Sequence, residues 1–130
     1  MDEATKKKLV ELAIKAAERA YAPYSKFRVG SALIDDRGTI YTGCNVENAS
    51  YGLCVCAERT ALVKAVSEGA GKVLGMAIVT LDAPSYCSPC GACRQIMHEL
   101  AKDALILIAS RDGTWQESTM DKLLPGAFEL

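Results

Sequence analysis

The stretch Cys56-Ala57-Glu58-Arg59-Thr60-Ala61-Leu62-Val63-Lys64-Ala65-Val66-Ser67-Glu68 has the spacing of a helix and stops at Gly69-Ala70-Gly71. Val73 to Leu81 then reads as a buried strand. The same succession follows once more. Ser88 is an N-cap candidate and Pro89 suits the first helical position, which predicts a second helix as far as about Lys102. Ala104 to Ala109 is a continuous apolar run, the mark of a central strand covered on both faces. Helices and strands that alternate in this way pack as layers on a common sheet.

Working outward, Asp2 to Ala22 places Leu9, Leu12, Ile14, Ala16, Ala17 and Ala20 among Lys and Glu, with Pro23 closing the run, and reads as an amphipathic helix. Phe27 to Ile34 and Thr39 to Cys44 are extended patterns on either side of the turn signal Asp35-Asp36-Arg37-Gly38, so they form two adjacent strands. On the C-terminal side, Arg111-Asp112-Gly113 turns the chain into a short edge strand, Thr114 to Glu117, and a last short helix ends near Leu124-Pro125-Gly126. The expectation is one α/β domain over residues 1–130, a three-layer α/β/α arrangement with a five-stranded mixed sheet.

Fifteen basic residues against sixteen acidic ones give a formal charge of -1, which supplies no general attraction to phosphate backbones or anionic membranes. Nucleic-acid and membrane partners are therefore not expected. No apolar run approaches the roughly 20 residues that cross a bilayer, and the charged N-terminal helix has no signal-type apolar core, so a cytoplasmic location is expected. In that reducing compartment six cysteines read as metal ligands or free thiols in preference to disulfides.

Two segments concentrate chemistry, Cys56-Ala57-Glu58 and Pro89-Cys90-Gly91-Ala92-Cys93. Cys90 and Cys93 lie three apart at a helix start and share one face, and Cys56 at the other helix start completes a tripod. Unpaired N–H groups at both starts favour thiolate, the form that binds metal. Three protein ligands on a zinc ion leave a position for water, and Glu58 is the carboxylate that moves protons. This combination is a known signature of zinc-dependent base deaminases, including the variant with a third cysteine in place of histidine.

Three thiolates on one dication sum to about -1, which blunts the metal, and Arg59 and Arg94 are placed to offset that charge by donating to sulfur. Cys44, Cys54 and Cys87 offer a competing structural zinc ribbon, and Cys90-x-x-Cys93 a thiol redox site, but Pro89 takes Cys87 off the shared face and all three extra thiols read as reduced core or surface residues. His98, more than a turn beyond Cys93, reads as a helix-surface or interface residue.

Beyond these motifs, Tyr21-Ala22-Pro23-Tyr24-Ser25-Lys26-Phe27, Gly43 to Tyr51, Cys56 to Ala61, Ser88 to Gln95 and Leu123 to Phe128 together resemble the cytidine deaminase family over nearly the whole chain. The resemblance is closest to its small homotetrameric, three-cysteine members that act on free nucleosides. It implies deamination of cytidine and deoxycytidine in pyrimidine salvage, with one zinc per subunit on Cys56, Cys90 and Cys93, Glu58 as proton shuttle and Arg59 bonded to the thiolates. It further implies that Phe27 packs on the pyrimidine, that Asn45 and Glu47 bind the ribose 3′-hydroxyl, and that the Ala57 backbone meets the base carbonyl. Ala49 and Tyr51 of one neighbouring subunit and Phe128 of another would complete each pocket. Blasticidin-type deaminases share the zinc pattern but match the Tyr21–Phe27 and Asn45–Asn48 segments less well, and transfer-RNA adenosine deaminases use a histidine ligand that has no counterpart here.

Overall fold

The computed structural model describes residues 1–130. Helix α1, Glu3–Ala17, opens on Asp2, whose side chain accepts from the Thr5 N–H at 2.8 Å, and it buries Leu9, Val10, Ala13 and Ala17. Strands β1, Val29–Asp35, and β2, Ile40–Cys44, form a hairpin, followed by a single 3-10 turn at Tyr51–Leu53 and helix α2, Ala57–Ser67. Strand β3, Val73–Thr80, leads to α3, Gly91–Leu100, then β4, Leu105–Ala109, β5, Trp115–Ser118, and a one-turn helix α4, Met120–Leu123.

The sheet runs β2-β1-β3-β4-β5. Its only parallel pair is β3 with β4, where Ala77 faces Leu107, and the other pairs are antiparallel. Alternation along the strands divides the core into two layers. Leu33, Met76, Ile78, Ile106 and Ile108 point to α2 and α3, whereas Ala32, Ala77, Val79, Leu107 and Ala109 point to α1. Residues on the α1 side are smaller, and Gly30 takes this to its limit, since a Cβ there would lie 2.0 Å from the Ala13 carbonyl oxygen. Gly43 does the same for α2, where a Cβ would meet the Ala61 nitrogen at 2.5 Å. The expected three-layer arrangement and five-stranded mixed sheet are both present.

Several boundaries differ from the sequence reading, each for a tertiary reason. Helix α1 stops at Ala17 and not at Ala22, because Tyr21 is drawn into a bridge with Val46: its N–H donates to Asn45 O at 3.0 Å and its carbonyl accepts from Glu47 N at 2.8 Å. Strand β1 begins at Val29 and not at Phe27, because the Asn45 side chain takes the backbone groups that a ladder would use. Helix α3 begins after Cys90 and not at Pro89. The Ser88 hydroxyl, expected to cap that helix, instead accepts from Arg94 Nη2 at 2.9 Å.

Candidate active site at two helix starts

Cys56 is the N-cap of α2 and Cys90 the N-cap of α3, and neither side chain makes a capping hydrogen bond. Their first-turn N–H groups therefore face the site unpartnered by cap side chains, and the positive ends of both helix dipoles converge on one corner. Cys93, one turn into α3, is fully buried there. The three sulfurs lie within 4.8 Å of one another.

Within this cluster the neighbouring Cys93 thiol is the main influence that lowers the Cys56 pKa to about 6. The proximity of Cys56, seconded by burial, drives the Cys93 thiol upward. Glu58, in the first turn of α2, is only 4% exposed, and burial raises its carboxyl above the ordinary range. A carboxyl poised in this way is suited to take a proton and return it.

Above the corner is a pocket of about 450 Å³ that reaches Phe27, Asn45, Glu47, Ala57, Glu58 and the sulfurs' residues Cys56 and Cys90. Its rim is held by side chains. Asn45 accepts from Val29 N at 2.8 Å and donates to Phe27 O at 2.8 Å, while Glu47 accepts from Tyr24 N at 3.0 Å and Ser25 N at 3.1 Å. These hydrogen bonds, with the Ser25 hydroxyl as the foremost contributor, keep the Glu47 carboxyl below its usual range. On the outer side of the same backbone, Arg28 forks onto Asp82 through two 3.0 Å bonds and lowers its pKa to about 2.

Other expected residues stand apart from the pocket. Ala49, Tyr51 and Phe128 are exposed, Tyr51 at 75% and Phe128 at 68%, and Tyr51 rests edge-on against Tyr24 with ring centres 6.2 Å apart. Arg59 is half-buried and contributes a small favourable field at Cys56. Arg94 does not donate to sulfur as expected. Its guanidinium binds Pro89 O at 2.7 Å, Leu123 O at 2.7 Å and Ser88 Oγ, which braces the loop before Cys90 against α4. His98 is buried and not on the surface, because the returning C-terminal tail covers it: Nε2 lies 3.5 Å from Glu129, and neighbouring Gln95 donates to Phe128 O at 3.1 Å.

The sequence profile of the cytidine and deoxycytidylate deaminase zinc-binding region matches residues 3–109. The chain belongs to this family. As a deaminase-family chain it is 51% identical over 121 residues to a cytidine deaminase of Halalkalibacterium halodurans, covering 92% of this chain and 91% of that protein. A cytidine deaminase of Sporosarcina psychrophila is 48% identical, covering 93% and 89%. Among solved structures, the cytidine deaminase of Burkholderia pseudomallei superposes with a TM-score of 0.89 at 44% identity, covering 98% of this chain and all of that one.

The zinc of the deaminase family fits this corner. Zinc takes thiolates at about 2.3 Å, so three sulfurs on one ion sit about 3.8 Å apart, which is compatible with sulfurs that all lie within 4.8 Å of one another. All six cysteines are free, and only Cys56, Cys90 and Cys93 form the cluster. Cys54 and Cys87, read from sequence as bystanders, line the pocket, as do Ser25, Thr80 and Ser88. Thr80 had a signal, since it ends a strand on the side where α/β ligand sites gather, and Ser88 adjoins the Pro-Cys motif.

Proposed function

We propose that this chain is a zinc-dependent cytidine deaminase that converts cytidine and deoxycytidine to uridine and deoxyuridine with release of ammonia. The observation that carries this reading is a buried carboxyl, Glu58, raised above the ordinary carboxylate range, beside a cluster of three thiols at the floor of a nucleoside-sized pocket that Cys56 and Cys90 line. Zinc held by Cys56, Cys90 and Cys93 supplies a water acidified toward neutrality. With zinc bound, Glu58 would take one proton from the water whose oxygen adds to C4 of cytosine and give that proton to N3. It would then take the proton of the hydroxyl formed at C4 and pass it to the exocyclic amine, which leaves as ammonia as the C4 carbonyl forms, so each transfer resets the carboxylate.

The remaining residues bind and orient. Phe27 packs on the pyrimidine, Ala57 presents backbone to the base carbonyl, and Asn45 with Glu47 receives the ribose 3′-hydroxyl. Glu47 accepts three protein hydrogen bonds through its two oxygens, of about four that a carboxylate accommodates, which leaves room for a ligand hydroxyl. Arg59, together with the two helix starts, offsets the surplus thiolate charge.

Four copies are proposed to share their pockets. In support, Ala49, Tyr51 and Phe128 are exposed on the isolated chain and line none of its own pocket. Residues 1–130 then act as one deaminase unit in the cytoplasm, where reduced thiols persist. No helix is long and apolar enough to cross a membrane.

Loss of cytidine absorbance, followed with zinc-loaded protein and again after chelation, tests the activity, and light scattering tests the assembly. Turnover that chelation abolishes, by particles of four chains, is the expected result. A zinc-loaded protein that leaves cytidine untouched would reduce the site to a metal-stabilised binding module.

A further inference from the structure

Between Tyr24 and Val29 the chain carries Phe27 into the pocket outside any helix or strand, so side chains must set its path. Asn45 holds the Val29 end. At the other end the Ser25 hydroxyl donates to Glu47 Oε2 and accepts from the Phe27 N–H at 3.0 Å. Between them sits Lys26, the one non-glycine residue in the left-handed region, at φ 59°. Its side chain is exposed, so no packing of its own calls for a conformation that lysine disfavours. Its N–H closes the turn onto Ala22 O at 3.0 Å. The neighbours impose the strain, as is usual where a backbone is held for a ligand.

We propose that Ser25 is a positioning residue that couples the Glu47 carboxylate to the Phe27 backbone, so that the ribose-facing and base-facing walls of the pocket hold one geometry together. The assignment of those walls rests on the functional reading given above; the coupling itself rests on the hydrogen bonds. A serine hydroxyl that merely closes a turn onto the N–H two residues on would also stabilise the loop. Such a turn, however, would not respond to changes at Glu47. Removal of the hydroxyl leaves Glu47 Oε2 without its protein donor and Phe27 N–H without its acceptor, and Lys26 is then free to leave the left-handed region.

Two independent readouts test the coupling on the zinc-loaded full chain. Amide exchange at Phe27, followed by NMR, should quicken about tenfold in Ser25→Ala and measurably in Glu47→Ala, the scale of one lost hydrogen bond. Cytidine KM should rise about tenfold in Ser25→Ala with kcat changed by less than about threefold, an effect of the same size. Ser25→Thr, which keeps the hydroxyl, should stay close to the parent in both. Lys26→Gly placed on Ser25→Ala should recover most of the KM loss, because glycine occupies the left-handed region without strain. Phe27 exchange that ignores Glu47→Ala, or a Ser25→Ala enzyme with parental KM, overturns the proposal. If the parent protein does not deaminate cytidine, the functional reading falls while the exchange measurement still decides the coupling.

Discussion

At the thiol corner the working side chains sit at the starts of two helices seated on the central strands, whereas across the pocket the rim is loop backbone tied down by Asn45, Glu47, Ser25 and Asp82. The corner keeps its most reactive groups inside, with Cys93 and Glu58 buried, while the rim leaves Ser25 exposed and Phe27, Asn45 and Glu47 half-buried. Regular structure fixes what must meet a metal to within tenths of an ångström. Loops suffice where the ligand is larger.

Perturbations of the two regions should therefore differ in kind, and the sharpest separation comes from the corner. Cys93→Ala should lose zinc and with it all measurable turnover; full metal content by elemental analysis would require a different ligand set. Glu58→Ala should retain zinc and the melting temperature of the parent yet lower kcat by at least about 10³-fold, the range of general acid–base catalysis. Near-parental turnover would remove Glu58 from proton transfer.

On the rim side, which the proposed assembly completes with a neighbour's Phe128, Phe128→Ala should raise cytidine KM about tenfold, as expected for a lost aromatic contact, with zinc unchanged. Zinc loss in that variant would erase the distinction between the two regions. The smallest effect belongs to the Arg28–Asp82 fork. Asp82 has its pKa depressed to about 2, so its contribution is fully present above the unfolded carboxyl value of about 4 and is lost as pH falls through about 2. The difference in melting temperature between the parent and Asp82→Asn should be constant near neutrality and close over that acid window. A difference that persists at the acid end would mean that Asp82 acts through packing and not through charge.

The corner was legible in the sequence because its information is local. Cys90 and Cys93 share a face by helical spacing, Cys56 and Glu58 fall at a helix start, and the adjoining apolar runs announce β3 and β4. What the sequence did not disclose depends on partners far along the chain. Arg94 is drawn from the sulfurs by carbonyls at Pro89 and Leu123, and α3 starts late because Arg94 also occupies Ser88. His98 is covered by the tail near Glu129, and Phe27 stays outside β1 because Asn45 claims its carbonyl. No periodicity encodes such contacts, since each joins segments that only the finished sheet brings together.

The use of cysteine to cap both α2 and α3, without a capping hydrogen bond from either side chain, carries a consequence for folding. Serine or aspartate in those positions would satisfy the first-turn amides on its own. Here the first-turn amides have no such partner, and the positive helix ends face sulfurs that, as thiolates, need a cation to hold them together. Zinc held by Cys56, Cys90 and Cys93 would tie the starts of α2 and α3 to one point, and protein synthesised under zinc starvation should emerge with both first turns frayed, open to proteolysis at the same two places.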